Sequence, residues 1–487
     1  MTISKARTFS NIFYTGVTKG GTLACLFVSS SVIARNLSPA DYGVVGFAYI
    51  IIGFLGQFSD MGVANAVICS PRFSERNPST AFTLKLILGA GAFVAAYFIA
   101  PFAHHFLEHP QTANVIRLLA LNFLVSTIGF LSTTTLTREM NYRSLVVPGV
   151  VSAVVRCTLV VVLILHGWKY WAVIAADIGA TLTAGLVAQM VRRVAIHLRF
   201  DRSDAEEYLR FGLPLLGAGL IVFLLLNLDN FLVGARLGSA QLGYYAIAFN
   251  WASFVCILLS ETVNNVLLPT LSAIQNDLVA MRRWYLKTVD LTAFVAVVTN
   301  TTLLVNAHQF LVTFLGKGTD KWVPATLSLQ ILCVYGILRA ITAPVGNWVM
   351  LRGRTKTLLY ANLFGGMVEL SLLLLALRTG RIDMVAAAVF VAYVCAAAAL
   401  LPFSRRELFV GIHDIVAQIW PVAPALVVGV IVTSLLPASL GNGIFALVAR
   451  ALVTASVVAL THGLCTRFRC FQEAGTMILQ NLARARA

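Results

Sequence analysis

Leu37-Ser38-Pro39-Ala40-Asp41-Tyr42-Gly43 returns 200 residues later as Leu237-Gly238-Ser239-Ala240-Gln241-Leu242-Gly243. The register continues, with Ala48 matching Ala248 and Asn65 matching Asn265. Each copy stands between two long apolar runs. Hydrocarbon offers backbone groups no partner, so a crossing helix needs roughly 20 mainly apolar residues. Outward from the two copies, fourteen such runs can be read: 12–34, 42–69, 80–103, 113–135, 145–165, 171–191, 211–235, 243–269, 289–305, 323–350, 357–377, 384–402, 414–436 and 444–466. The expected fold is an all-α polytopic membrane protein with about 14 transmembrane helices. Two six-helix bundles form a parallel repeat, and two helices are added. The expected divisions are 1–208, 209–403 and 404–487 with its tail. Six is even, so both bundles run the same way through the membrane, and in such folds the substrate site lies between repeats. A generic L-x-x-A-x-x-G turn could arise by chance, but the equal helix count around both copies favours duplication.

Composition supports this reading. Of 487 residues, 59% are apolar and 11% charged, with a mean hydropathy of +0.84. Soluble chains carry about 45–50% apolar and 25% charged residues. This excludes a soluble enzyme with one membrane tail and a disordered chain. The net charge of +16 would suggest nucleic acid in a soluble protein. Here its distribution says otherwise, and no nucleic-acid partner is expected. With a cytoplasmic N-terminus, 23 Lys and Arg residues fall in inner segments and 7 in outer ones. That bias predicts both termini inside. The first run leads into Arg35-Asn36-Leu37 without a small-residue cleavage site, so it is expected to remain as a start-transfer helix. The eight Cys are scattered without a C-x-x-C pair and read as small core residues.

A charge at the bilayer centre costs at least about 2.5–3.5 kcal/mol, so charges inside the runs need partners or a wet cavity. Arg156, Arg339 and Glu369 fall mid-span, and Lys19 is intermediate. They read either as buried pairs that fix packing or as the wall of a cationic cavity suited to an anionic head. Lys85, Arg117, Arg450 and Asp290 lie near span ends and can snorkel. Asp60 and Glu261 fall one position apart in the repeat register. With Asp177 and Asp229 they are the candidates for coupling or gating, through protons, cations or a lock between halves. No catalytic residues, no metal site and no cofactor are expected, apart from coupling to an H+ or Na+ gradient.

Other features are bland. His104, His105 and His109 beside Glu108 read as a solvated outer loop. Gly16-x-x-x-Gly20 reads as close helix packing. Residues 192–210 read as a cytoplasmic linker with a surface helix near Ser203–Tyr208. Nucleotide, zinc-protease and nucleophile-elbow motifs are missing.

Ala34-Arg35-Asn36-Leu37-Ser38-Pro39-Ala40-Asp41-Tyr42-Gly43 resembles the start of the polysaccharide-transporter family, the Wzx-type oligosaccharide flippases. The resemblance extends to Phe58-Ser59-Asp60-Met61-Gly62, Leu136-Thr137-Arg138-Glu139-Met140-Asn141-Tyr142 and Leu228-Asp229-Asn230-Phe231-Leu232-Val233-Gly234, followed by Leu242-Gly243-Tyr244-Tyr245. It covers spans 1–8. It implies the multidrug/oligosaccharidyl-lipid/polysaccharide (MOP, MATE-like) exporter fold, two six-helix bundles around a central cavity. It further implies transfer of an undecaprenyl-pyrophosphate-linked oligosaccharide across a bacterial inner membrane, for exopolysaccharide, O-antigen (lipopolysaccharide) or capsule synthesis. Partners would then be the lipid-linked oligosaccharide, membrane lipids and a polysaccharide polymerase. Arg156, Arg339, Lys19 and Glu369 are the expected substrate contacts. The competing readings are a cation-coupled multidrug antiporter, which would favour an acidic cavity, and a membrane glycosyltransferase or polymerase, which would need a larger outer loop.

Overall fold

The computed structural model describes residues 5–69, 78–107, 109, 111–195, 197–273, 278–351, 355–408, 420–435 and 443–466. Among the described residues there is no strand. The helices are α1 (Lys5–Asn36), α2 (Pro39–Asp60), α3 (Val63–Cys69), α4 (Ser79–Ile99), α5 (Thr112–Leu119), α6 (Leu121–Val125), α7 (Thr127–Arg138), α8 (Tyr142–Leu165) and α9 (Trp171–Val191). They continue with α10 (Arg202–Ala273), α11 (Leu278–Val305), α12 (Ala307–Gln309), α13 (Thr326–Leu351), α14 (Thr355–Leu377), α15 (Ile382–Leu408), α16 (Val422–Leu435) and α17 (Ile444–Cys465). Each of the fourteen apolar runs overlaps helix. Among the described residues ten helices are long and apolar enough to cross a membrane. The count is eleven if Thr112–Val125 and Thr127–Arg138, bent by 48°, form one span. The protein is a multi-pass, all-α membrane protein.

By packing, the chain forms two compact units, Met1–Gly243 and Tyr244–Ala487. In the first, Val63, Ala66 and Val67 of α3, Ala81, Phe82 and Leu84 of α4, Phe130 and Leu131 of α7, and Tyr208 of α10 form one buried cluster. In the second, Tyr285, Val289, Ala293 and Val297 of α11 meet Ile337, Ile341, Val345 and Val349 of α13. Both sets recur every four residues, so each helix presents one ridge to the other. Val422, Ala425 and Val458 close this core from α16 and α17.

The repeat motif sets two of the helix boundaries. Ser38 caps α2 by accepting the Asp41 N–H at 3.1 Å, and Pro39 occupies the first turn, where its missing N–H costs nothing. In the second copy, Gly238 adopts φ 87°, a region nearly closed to residues with a Cβ, and turns the chain between the two long arms of α10. The two copies touch. A Cβ on Gly43 would overlap the Ser239 carbonyl, and one on Gly243 would overlap the Pro39 carbonyl. Each motif therefore gives up its side chain to the other's backbone. At the far end of α2, Met61 is left-handed (φ 41°), and a Cβ on Gly212 would overlap the Met61 carbonyl.

Lys85 differs from the snorkelling expectation. It is buried, and its Nζ donates to the Ser59 carbonyl at 3.1 Å and lies 3.2 Å from Asp60 Oδ1. The cause is the end of α2 at Asp60, which leaves carbonyls without helical partners beside a negative helix terminus. Arg138 does the same for α3, donating to the Val67 carbonyl at 2.9 Å. Replacing Lys85 with Met should destabilise the first unit by about 2 kcal/mol, because a buried carbonyl and a carboxylate lose their donor. Thermal unfolding of the purified protein checks this, with the exposed Lys169→Met as control.

Two smaller expectations also change. Gly20 meets no atom within 4 Å of an added Cβ, so close packing does not explain that residue. The helix expected near Ser203–Tyr208 is the first part of α10, held down by buried Ala205 and Tyr208.

Candidate functional site

Gly149, Ser152, Ala153 and Arg156 recur at the three- and four-residue spacing that places them on one face of α8. Thr22, Cys25, Leu26 and Ser29 do the same on α1. These two faces and Ala180 of α9 line a cavity of about 170 Å³. Glycine, alanine and serine leave this space because they carry little side chain. The hydroxyls of Ser29 and Ser152 donate to their own helices, to the Cys25 and Gly149 carbonyls at 2.7 and 2.9 Å. Both oxygens retain acceptor capacity.

Arg156 is the cavity's cation. Its Nε donates to Asp177 Oδ1 of α9 at 2.5 Å, with the two side chains 24% and 14% exposed. Tyr49 of α2 donates its hydroxyl to the other oxygen, Oδ2. Three helices of the first unit are thus joined through one carboxylate. The sequence suggests Arg156 for substrate and Asp177 for gating; the structure joins the two in one group. Tyr49 carries no such signal in the sequence: it sits in a long apolar run and resembles an ordinary interface tyrosine. Tyr49→Phe should cost about 1.5 kcal/mol, the loss of a hydrogen bond to a charged acceptor, while leaving the Arg156–Asp177 pair in place. Thermal unfolding of the variant alone and combined with Asp177→Asn measures it, and the coupled contribution should vanish in the combination.

The other candidates are placed separately. Asp60 meets Lys85, as described. Asp229 is buried on α10 and accepts from the Asn230 backbone and side-chain amides at 2.7 and 3.1 Å. In the second unit Arg339 of α13 reaches Tyr335, donating to its hydroxyl at 3.4 Å with the guanidinium 5.9 Å from its ring. Tyr335 stands edge-on to Tyr393 of α15 at 5.1 Å, and the Tyr393 hydroxyl meets Thr342 at 2.7 Å. Arg339 therefore lies in an aromatic, hydroxyl-bearing setting, and Tyr335 and Tyr393 were not anticipated. Glu369 is half-buried on α14. The side chains of Lys19 and Glu261 lie outside the described residues. Among the described residues no group of three or more His, Cys, Asp or Glu could hold a metal. Of the loop histidines, His104 and His105 are exposed, as expected of a solvated loop, while His109 is half-buried, 4.0 Å from Asp41 and edge-on to Tyr170. Asp41 and burial together push the Tyr170 phenol up, burial being the larger cause.

Comparisons with known proteins place this architecture. A family model described as polysaccharide biosynthesis protein matches residues 32–326. The lipopolysaccharide biosynthesis protein WzxC of Escherichia coli K12 is 26% identical over 346 residues, 69% of this chain and 68% of that one. The teichuronic acid biosynthesis protein TuaB of Bacillus subtilis is 24% identical over 303 residues, 62% of each chain. Among solved structures, the lipid II flippase MurJ in an inward closed conformation superimposes with a TM-score of 0.75. The match covers 94% of this chain and 99% of that one at 14% identity. An inward-facing multidrug resistance MATE transporter of the MOP superfamily gives 0.64, covering 81% and 95%, also at 14% identity. The fold is thus that of the MOP exporters, and the family match covers more than half of the sequence. The chain belongs to the polysaccharide biosynthesis protein family.

Proposed function

We propose that the protein is a flippase that moves a polyprenyl-pyrophosphate-linked oligosaccharide, of the undecaprenyl class, from the cytoplasmic to the outer leaflet of a bacterial inner membrane. Family membership across residues 32–326 carries this reading. The relatives' names concern lipopolysaccharide and teichuronic acid synthesis, and the solved neighbour with a TM-score of 0.75 is a lipid II flippase. The chemistry agrees. A sugar–pyrophosphate head is too polar for hydrocarbon and requires a wet path with cationic contacts, while the polyprenyl chain can stay in lipid.

In this reading Arg156 is the phosphate contact of the first unit and Arg339 that of the second. The cavity beside Arg156 has room for a phosphate-sized group and cannot enclose an oligosaccharide. Asp177 neutralises Arg156 at rest. An arriving phosphate competes with it for the guanidinium, and the displaced carboxylate keeps Tyr49 or takes a proton. Coupling to a proton or sodium gradient enters here, with Asp60, Asp229 and Glu261 as further candidates. Lys19 and Glu369 complete the proposed substrate set, both termini are cytoplasmic, and a polymerase is the downstream partner. The chain itself performs no bond-making step.

The test is depletion of the protein in its own host. The expected result is loss of surface polysaccharide, with the completed lipid-linked repeat unit accumulating on the cytoplasmic leaflet. Accumulation of a shortened repeat unit instead would point to a glycosyltransferase. The MATE likeness makes a cation-coupled drug antiporter the second reading. Increased drug susceptibility with normal polysaccharide would select it.

A further inference from the structure

Between α9 and α10 the described residues, 192–195 and 197–201, are not helical. Two side chains of α4 pin the backbone there. The Thr83 hydroxyl donates to the Arg199 carbonyl at 3.0 Å, and the Asp201 amide donates to Thr80 Oγ1 at 3.2 Å. Asp201 then caps α10. Its carboxylate takes the Ser203 hydroxyl and amide and the Asp204 amide, at 2.7, 2.9 and 3.3 Å. These bonds, the hydroxyl first, hold its pKa below the usual carboxylate range. A few residues on, buried Tyr208 fastens α10 into the core. The segment is thus fixed at both ends of its final stretch.

This fixed stretch exposes the wrong residues for water. Leu198 is 74% exposed and Phe200 53%, in alternation with exposed His197 and Arg199. Arg193 is also exposed. Leu198 and Phe200 lie two positions apart, as do His197 and Arg199, so apolar and basic side chains alternate along the stretch, all of them exposed. The location gives this pattern a meaning. The spanning helix α9 ends at Val191, and the spanning helix α4 begins at Ser79, one residue before the threonine that holds Asp201. The stretch therefore runs where two crossings leave the hydrocarbon, on the face that the charge bias assigns to the cytoplasm.

We propose that Arg193, Leu198, Arg199 and Phe200 form an anchor for anionic phospholipid, with Leu198 and Phe200 in the acyl boundary and the two arginines on headgroup phosphates. The charge complementarity and the position at the bilayer edge select a lipid surface over a protein partner. The apolar pair supplies depth and the arginines supply preference for negative headgroups. Such an anchor fixes the start of α10 to the leaflet. It does not depend on the flippase reading.

The test uses the full-length protein in lipid nanodiscs. A Phe200→Trp variant provides a local indole, and the parent protein supplies the background of its seven tryptophans. Brominated phosphatidylglycerol should quench the added emission and aqueous iodide should not. At equal mole fraction, brominated phosphatidylglycerol should quench more than brominated phosphatidylcholine. Combining Arg193→Gln and Arg199→Gln should reduce that preference about fivefold per arginine, the ratio equivalent to about 1 kcal/mol each near an anionic leaflet. The corresponding Lys substitutions should restore it, which separates charge from fold. Quenching by iodide alone, or equal quenching by both lipids, overturns the proposal. So does protection from both quenchers in native membranes, since that indicates a protein cover.

Discussion

Alanine at Gly43 or Gly243 is expected to remove most of the folded protein from the membrane and all of the surface polysaccharide. The added Cβ would overlap a backbone carbonyl, of Ser239 in one case and Pro39 in the other. Backbone cannot move aside as the end of a flexible side chain can. The helix ends must separate, which breaks contacts along both motifs. Overpacking a tight core costs typically 1–3 kcal/mol and occasionally more. With main chain as the obstacle, about 3 kcal/mol or more is expected. Because the contact is reciprocal, the two substitutions should have similar effects, and the pair together should cost less than the sum, since one displacement relieves both. The control lies nearby. Gly46 has nothing within 4 Å of an added Cβ, and alanine there should be neutral or slightly stabilising through helix propensity. Detergent-solubilised thermal stability and immunoblotted membrane yield provide the readouts. Equal behaviour of the Gly43 and Gly46 variants would remove the basis for this contact.

The second large effect concerns Arg156 and Asp177. Arg156→Ala leaves a carboxylate mostly sheltered from water with only the Tyr49 hydroxyl, and Asp177→Ala leaves a sheltered guanidinium. Breaking a buried pair from one side costs about 3–5 kcal/mol. Replacing both partners with Met and Leu removes the uncompensated charge and should recover most of the stability. Export should not recover, because in the proposed mechanism the guanidinium is what receives phosphate. Among the variants of this pair, stability and export separate only in the double replacement. A double variant that folds and exports normally would reduce the pair to a packing device. Arg339→Ala gives a parallel test in the second unit, with export lost while protein level is retained.

The membrane crossings were legible because hydropathy sums over some twenty residues, and local exceptions average out. The repeat was legible because its letters set chain geometry directly, through a serine cap, a proline in the first turn and a glycine where helices touch. Azimuth was not legible. Arg156 and Asp177 could be recognised individually as costly, but the sequence does not say which faces of α8 and α9 meet. Tyr49 lies 128 positions from Asp177. The burial of Lys85 is hidden in the sequence for a different reason. The run 42–69 reads as one continuous span, so the break at Met61-Gly62, and the carbonyls it releases to Lys85, stayed hidden. Glycine at that point was the available sign.

The turn at Gly238 bears on biogenesis. Two long helical arms, carrying the apolar runs 211–235 and 243–269, are joined there by a single non-helical residue. No hydrophilic tether exists on that side long enough to let the first crossing settle while the second is still being synthesised. The pair should therefore enter the bilayer together as a hairpin. A tag or protease site inserted after Gly238 should block insertion of both arms, and the same insertion in the 192–200 linker should be tolerated far better.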